Sequence, residues 1–224
     1  MAKRRYTKTT QESELYLKSL SVKSDSQEFY LSMLREMTVT LCTGPAGTGK
    51  TYLAAYVALE QLLNRNVDKI VLTRPIVACE DIGYLPGDMH EKIQPYLMPL
   101  FDAVEAHVGP TRTKELFADG RLEVLPLAYM RGRSINRACI ILDEAQNATQ
   151  EQMKMMLTRL GYDSKIIING DDSQSDLPKS NVNGLRWAVD RLRGCDESVA
   201  VVEFSSRNIV RHPLIATILS RLDA

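Results

Sequence analysis

Nothing in this 224-residue chain reads as a membrane span, a zinc module or a disulfide framework. No run approaches the ~18 apolar residues a spanning helix needs, and the N-terminus lacks the apolar core of a signal peptide. The four cysteines, Cys42, Cys79, Cys139 and Cys195, are scattered without a C-x-x-C pair, and only three histidines accompany them. Neither a structural metal site nor disulfide stapling is expected from that pattern, and a reducing cytoplasm fits it. Neither sign of charge is in excess, since 28 basic and 28 acidic residues cancel. Phosphate neutralisation dominates non-specific nucleic-acid affinity, so any nucleic-acid surface here has to be local. The tail Lys3-Arg4-Arg5 with Lys8 is one candidate, and a merely solvated tail is the alternative. Internal repeats, low-complexity tracts and linkers are lacking too, and the length suits one sizeable α/β core.

What is present is concentrated in Gly44-Pro45-Ala46-Gly47-Thr48-Gly49-Lys50-Thr51, a complete G-x-x-x-x-G-K-[ST] phosphate-binding loop. Its glycines let backbone N–H groups turn inward around β- and γ-phosphates. Lys50 brings a cation to those oxygens, and the Thr51 hydroxyl is placed to ligate Mg²⁺. The apolar run Val39–Cys42 precedes the loop, and Leu53, Ala54, Val57, Ala58 and Leu62 follow at helical spacing. Strand, glycine loop and helix together aim a helix N-terminus at an anion. The loop marks a nucleoside triphosphate site.

Elsewhere, helices are predicted over Ser26–Arg35, His90–Val108 (kinked or split at Pro95 and Pro99), Ala148–Leu160 with Gly161 as C-cap, Leu185–Leu192 and His212–Leu222. Strands are predicted over Lys69–Thr73, Leu122–Leu125, Ala138–Leu142, Lys165–Ile168 and Val199–Val202. Short, continuously apolar strands alternating with helices imply a mostly parallel sheet covered on both faces. Residues 1–22 read as a loosely attached arm before a single domain over 23–224. Met153, Met155 and Met156 read as core or subunit-contact residues.

Asp143-Glu144 end the apolar strand Cys139–Leu142. In phosphate-loop enzymes the first acid holds Mg²⁺ and the second polarises the attacking water; two acids capping the next helix is the plain alternative. Farther on, Gly170-Asp171-x-x-Gln174 follows another strand, and the Gln174 amide can orient water or sense the γ-phosphate. A polar turn accounts for the same residues structurally.

These features come with a resemblance. The text from about Gln27 to the C-terminus resembles the PhoH-like family of phosphate-starvation-inducible ATPases, related to superfamily-one helicases. It is carried by Gly44–Ala54, Thr73-Arg74-Pro75, Gly83–Met89, Glu91–Leu97, Tyr129–Arg133, Asp143–Thr149, Asp176–Pro178 and Val210–His212. The chain departs from the family pattern at Cys79, Asn169 and Asn208, none of them a phosphate or magnesium ligand. The resemblance implies a single RecA-like P-loop NTPase domain, ATP and Mg²⁺ as ligands, and a role in RNA or DNA metabolism. It also implies that Gln27 meets the adenine base, a solvent-facing helix glutamine being the alternative.

One lobe has no second lobe to supply an arginine finger, which is worth roughly 10³–10⁵ in rate where tested. A homo-oligomeric ring, expected as a hexamer, would deliver that finger in trans. Arg211 is the favoured candidate over Arg207, Arg131 and Arg133, and pairing of Arg211 with a carboxylate is the alternative. Arg74, Arg131 and Arg133 are expected at C-terminal strand edges and are candidates for RNA or single-stranded DNA phosphates. The leading expectation is an ATPase acting on nucleic acid, with no attached nuclease and no membrane contact. Its rival is a nucleotide-gated assembly module without unwinding activity. A small-molecule kinase is disfavoured by Glu144.

Overall fold

The computed structural model describes residues 17–76, 89–178, 182–210, 214 and 221, with backbone only for 89–93. Six strands form one sheet: β1 (Val39–Thr43), β2 (Lys69–Arg74), β3 (Leu122–Pro126), β4 (Ala138–Leu142), β5 (Lys165–Gly170) and β6 (Val199–Glu203). Their order is β3-β2-β4-β5-β1-β6, and every pairing is parallel. The expected RecA-like α/β domain is therefore the architecture observed, with β5 inserted between the phosphate-loop strand and the acidic strand.

Alternate residues of each strand feed two cores. Cys42, Ile70, Leu72, Cys139, Ile141 and Ile167 pack with α1 (Asp25–Glu36), α2 (Lys50–Leu63), α3 (Met89–Val108) and α4 (Pro110–Ala118). Leu41, Val71, Ile140, Leu142, Ile166 and Ile168 pack on the other face with α5 (Gln150–Leu157) and α6 (Gly184–Leu192). Burial on both faces explains why β1 and β4 are apolar or small at every position rather than at every second one. Cys42 and Cys139 are buried, and burial pushes both thiols well up, Cys139 to about 12, so both are inert core residues.

Several local expectations change. The α3 segment continues as one helix through Pro95 and Pro99. Both prolines are exposed and one turn apart, whereas Leu97, Leu100 and Val104 are buried, so packing outweighs the missing N–H donors. Helix α5 ends at Leu157, not Leu160, and Gly161 is not its cap. Leu160 instead bridges Ile135, and a Cβ on Gly161 would lie 2.1 Å from Asn136 Oδ1. Helix α4 lies outside the elements expected from the sequence; Gly109 and Pro110 start it, and Thr113 and Leu116 are buried beneath it. Of the arm expected over residues 1–22, residues 17–22 are described: Leu17, Leu20 and Val22 pack on the core, and Lys18 donates to the Ala106 carbonyl. Met153 and Met156 are buried on the β4–β5 face, with Met155 against them. The segment 77–88, including Cys79, and most of the expected helix over His212–Leu222 lie outside the described residues. No helix among the described residues is long and apolar enough to cross a membrane.

Helix α1 is tied to β5 by one buried polar contact, Tyr30 Oη donating to Asn169 Oδ1 at 2.6 Å. Tyr30→Phe leaves that amide oxygen buried and unpaired, and is expected to cost about 1–3 kcal/mol in unfolding free energy. Urea denaturation reads it; an unchanged midpoint contradicts the assignment.

Candidate nucleotide-binding site

Because all strands are parallel, the loops that follow them leave from one edge. Register puts Leu142 level with Ile168 and Leu41, so Asp143, Asn169 and Cys42 share the next level. Arg74 is level with Asp143, because Thr73 pairs with Leu142. The loop 44–49 leaves β1 just above. Gly44 takes φ 145°, and a Cβ there would sit 2.6 Å from the Phe204 carbonyl oxygen. Gly49 stands at the N-cap of α2 with φ 88°, a left-handed conformation that favours glycine. No side chain caps α2 and no acid lies in its first turn, so its first N–H groups are open to an anion. The Thr48 hydroxyl donates to the Pro45 carbonyl at 3.0 Å, and Val210 N donates to the Gly47 carbonyl at 2.8 Å, both holding the loop's shape.

The side chains above the loop close on one another. Lys50 Nζ donates to the Gly44 carbonyl at 2.5 Å and the Pro45 carbonyl at 2.9 Å, and burial pulls its pKa below the ordinary lysine value. The Thr51 hydroxyl donates to Asp143 Oδ1 at 2.7 Å. Burial holds the Asp143 carboxyl above the usual carboxylate range; the Thr51 hydrogen bond opposes that shift, and Glu144 adds to it. Glu144 has a left-handed backbone, φ 53° and ψ 40°. Its carboxylate meets Arg74 Nη2 at 2.9 Å and Gln146 Nε2 at 2.5 Å. Neither acid caps a helix: α5 is capped by the Thr149–Gln152 box, and Glu144 makes no capping bond.

A cavity of ≈ 290 Å³ is lined by Ala46, Gly47, Gly49, Lys50, Thr51, Tyr52, Asp143, Glu144, Gly170, Asp171 and Gln174. It gathers the loop, the acidic pair and Gln174, whose side-chain amide makes no hydrogen bond among the described residues. Asp171 and Tyr52 stand inside the sequence motifs, but no role follows for either from the sequence alone. Asp171 Oδ1 accepts from the Ser173 amide and hydroxyl, while its Oδ2 is buried without a partner among the described residues. Tyr52 also lines an adjoining cavity of ≈ 500 Å³ with Ser19, Ser21, Lys23, Gln27 and Val210. Its only sequence signal is an aromatic directly after the loop's Lys-Thr. Gln27 is buried rather than solvent-facing: its Nε2 donates to the Thr48 carbonyl at 2.9 Å, and its Oε1 accepts from Lys23 N at 2.8 Å.

Thr51 and Asp143 form an adjacent all-oxygen pair, which fits Mg²⁺, an ion that takes one or two carboxylates and fills its sphere with phosphates and water. Among the described residues no group of three or more His, Cys, Asp and Glu could hold a metal ion.

The basic candidates separate. Arg74 lies at the site. Arg133 does not stand at the C-terminal edge: it pairs with Glu123 at 2.6 Å, which also pairs with Lys69, in the N-terminal half of the sheet. Only tertiary structure reveals that pairing. Arg131 is exposed beyond β3, and Arg207 is exposed in a 3-10 turn over Ser206–Asn208. Arg211 lies outside the described residues.

The family described as PhoH-like protein matches residues 19–223. A PhoH-like protein of Bacillus subtilis is 49% identical over 207 residues, covering 92% of this chain and 65% of that protein. Protein PhoH of Escherichia coli K12 is 42% identical over 195 residues, 86% of this chain and 55% of that protein. The chain thus spans 55% to 65% of these two relatives. Among solved structures, Bacteroides Pif1 bound to ssDNA covers 90% of this chain and 46% of its own, at 12% identity and a TM-score of 0.40.

Asp143 yields a pH test. Its folded pKa lies above the unfolded one, so its favourable contribution is full below the unfolded value and is lost as pH rises through the folded value. In the nucleotide-free protein Asp143→Asn is therefore expected to melt above wild type at pH 7, with the gap closing towards acid pH. Thermal melts across pH read it; a lower melting temperature than wild type at pH 7 contradicts it.

Proposed function

The chain belongs to the PhoH-like protein family, and on that premise we propose that it binds and hydrolyses Mg-ATP and couples hydrolysis to RNA or single-stranded DNA. The observation that carries this reading is the convergence of Lys50, Thr51, Asp143, Glu144 and Gln174 on one cavity at the C-terminal edge of the sheet. Open amides at the start of α2 receive the phosphates, and Lys50 exchanges the carbonyls of Gly44 and Pro45 for β- and γ-oxygens. Thr51 and Asp143 would hold Mg²⁺, which would supply positive charge against the phosphate oxygens. Glu144 takes the proton of the attacking water, and the free Gln174 amide orients that water. Gln27 keeps a second donor and a second acceptor position open beside the ≈ 500 Å³ cavity, a match for an adenine edge.

A homo-oligomeric ring, expected as a hexamer, completes the site through an arginine from the next subunit, with Arg211 the first choice and exposed Arg207 the second. The setting that fits is the cytoplasm, where Mg-ATP and RNA are at hand. The rival reading, a nucleotide-gated assembly module, keeps the same pocket but needs no strand. Poly(U) or single-stranded DNA that raises hydrolysis several-fold supports the first reading; no effect at any salt concentration supports the rival.

Glu144→Gln tests the catalytic assignment. Phosphate release is expected to fall about 10²–10⁴-fold while fluorescent ATP still binds. Hydrolysis at the wild-type rate removes Glu144 from the mechanism. Mixing Arg211→Ala with Lys50→Ala subunits is expected to restore part of the activity lost in each, and no recovery contradicts a finger supplied in trans.

A further inference from the structure

We propose that Arg74 is a positioning residue that restrains Glu144, and that a nucleic-acid phosphate releases Glu144 by drawing Arg74 away. The inference rests on the ATPase reading above and names how its strand partner controls the rate.

To act as a base, Glu144 must offer a carboxylate lone pair to water. Here both of its oxygens are held, Oε1 by Arg74 at 2.9 Å and Oε2 by Gln146 at 2.5 Å. The backbone beneath is at φ 53°, a conformation that non-glycine residues hold only when surrounding contacts enforce it. The two restraints differ in kind. Gln146 is buried, and its Oε1 accepts from Asp171 N at 3.0 Å, so its amide is locked to the segment after β5. Arg74 ends β2 with its side chain 22% exposed, and its other contact among the described residues is a 3.3 Å hydrogen bond to the Tyr96 carbonyl of α3. It is the side of the clamp that can move.

A guanidinium pairs with phosphate in the same forked geometry it uses for a carboxylate. A strand crossing the C-terminal edge of β2 therefore competes directly with Glu144 for Arg74. Arg133 does not touch Glu144: it pairs with Glu123 in the other half of the sheet. Arg131 and Arg207 make no side-chain contact with the acidic pair among the described residues. The coupling is reciprocal by thermodynamic necessity: if phosphate frees Glu144, then removing the Glu144 charge frees Arg74 for phosphate.

Two measurements on the full chain test this. In steady-state hydrolysis with and without poly(U), Arg74→Ala and Arg74→Gln are expected to raise the strand-free kcat about 5-fold, the scale of one partly exposed ion pair. KM for ATP stays at its wild-type value, and poly(U) adds little further. Arg74→Lys keeps a cation beside Glu144 and is expected to recover part of the stimulation that the neutral variants lose. In equilibrium binding, Glu144→Gln is expected to hold labelled poly(U) about 5-fold more tightly than wild type. A fall in strand-free kcat in both neutral variants, or full stimulation retained by them, overturns the proposal. Unchanged poly(U) affinity of Glu144→Gln overturns it as well, and that arm reads out even if no ATP is split. Absence of hydrolysis in wild type with tighter strand binding by Glu144→Gln sinks the ATPase reading and leaves the exchange at Arg74 standing.

Discussion

The parallel insertion of β5 between β1 and β4 is the constraint from which the site follows. It sets the phosphate loop and the acidic pair one strand apart and fills the gap with a polar strand end. Gly44 N donates to the Gly170 carbonyl, and Asp143 N donates to the Thr73 carbonyl, so the ladder runs on into the functional loops. Gly170 has to be small here: a Cβ would stand 2.6 Å from Gln146 Oε1, the oxygen that accepts from Asp171 N. Burial on both faces keeps charged side chains out of β1 and β4, so the charged groups of the site stand just beyond the strand ends.

Those ends carry electrostatic tension. A lysine, two buried carboxylates and a backbone-strained glutamate are gathered at one edge, with Lys50 lowered and Asp143 raised by burial. The groups satisfy one another: Lys50 on loop carbonyls, Thr51 on Asp143, Glu144 on Arg74 and Gln146. Each of these contacts occupies an atom that phosphate, cation or water would otherwise use. On the proposed reading the donors are already placed, and nucleotide binding would exchange partners instead of building a site, which keeps the reorganisation cost low.

Much of this was legible in the sequence because the signals are local. The loop, the acids after an apolar strand and the strand–helix alternation depend on neighbours within a few residues. What escaped depends on partners far along the chain. The two prolines of α3 signal a break locally, but the buried row Leu97, Leu100 and Val104 keeps the helix whole. Gly161 reads as a helix cap, yet its smallness serves the approach of Ile135 and Asn136. Arg133 sits in a loop after β3 but reaches back to Glu123, and nothing in its spacing says so. The pairing of Arg74 with Glu144 spans 70 positions and depends on β2 lying beside β4. Gln27 was named from a resemblance, whereas its bracing of Thr48 is visible only once α1 is packed against the loop.

The central claim is that a magnesium-bound triphosphate sits between the loop ending at Lys50 and the acid Asp143. Equilibrium titration with a non-hydrolysable ATP analogue tests it most directly, because binding is read without any turnover. The account predicts saturable binding at one site per chain that needs Mg²⁺ and is lost in Lys50→Ala. Failure of the wild-type protein to bind, or equal affinity in Lys50→Ala, would contradict it.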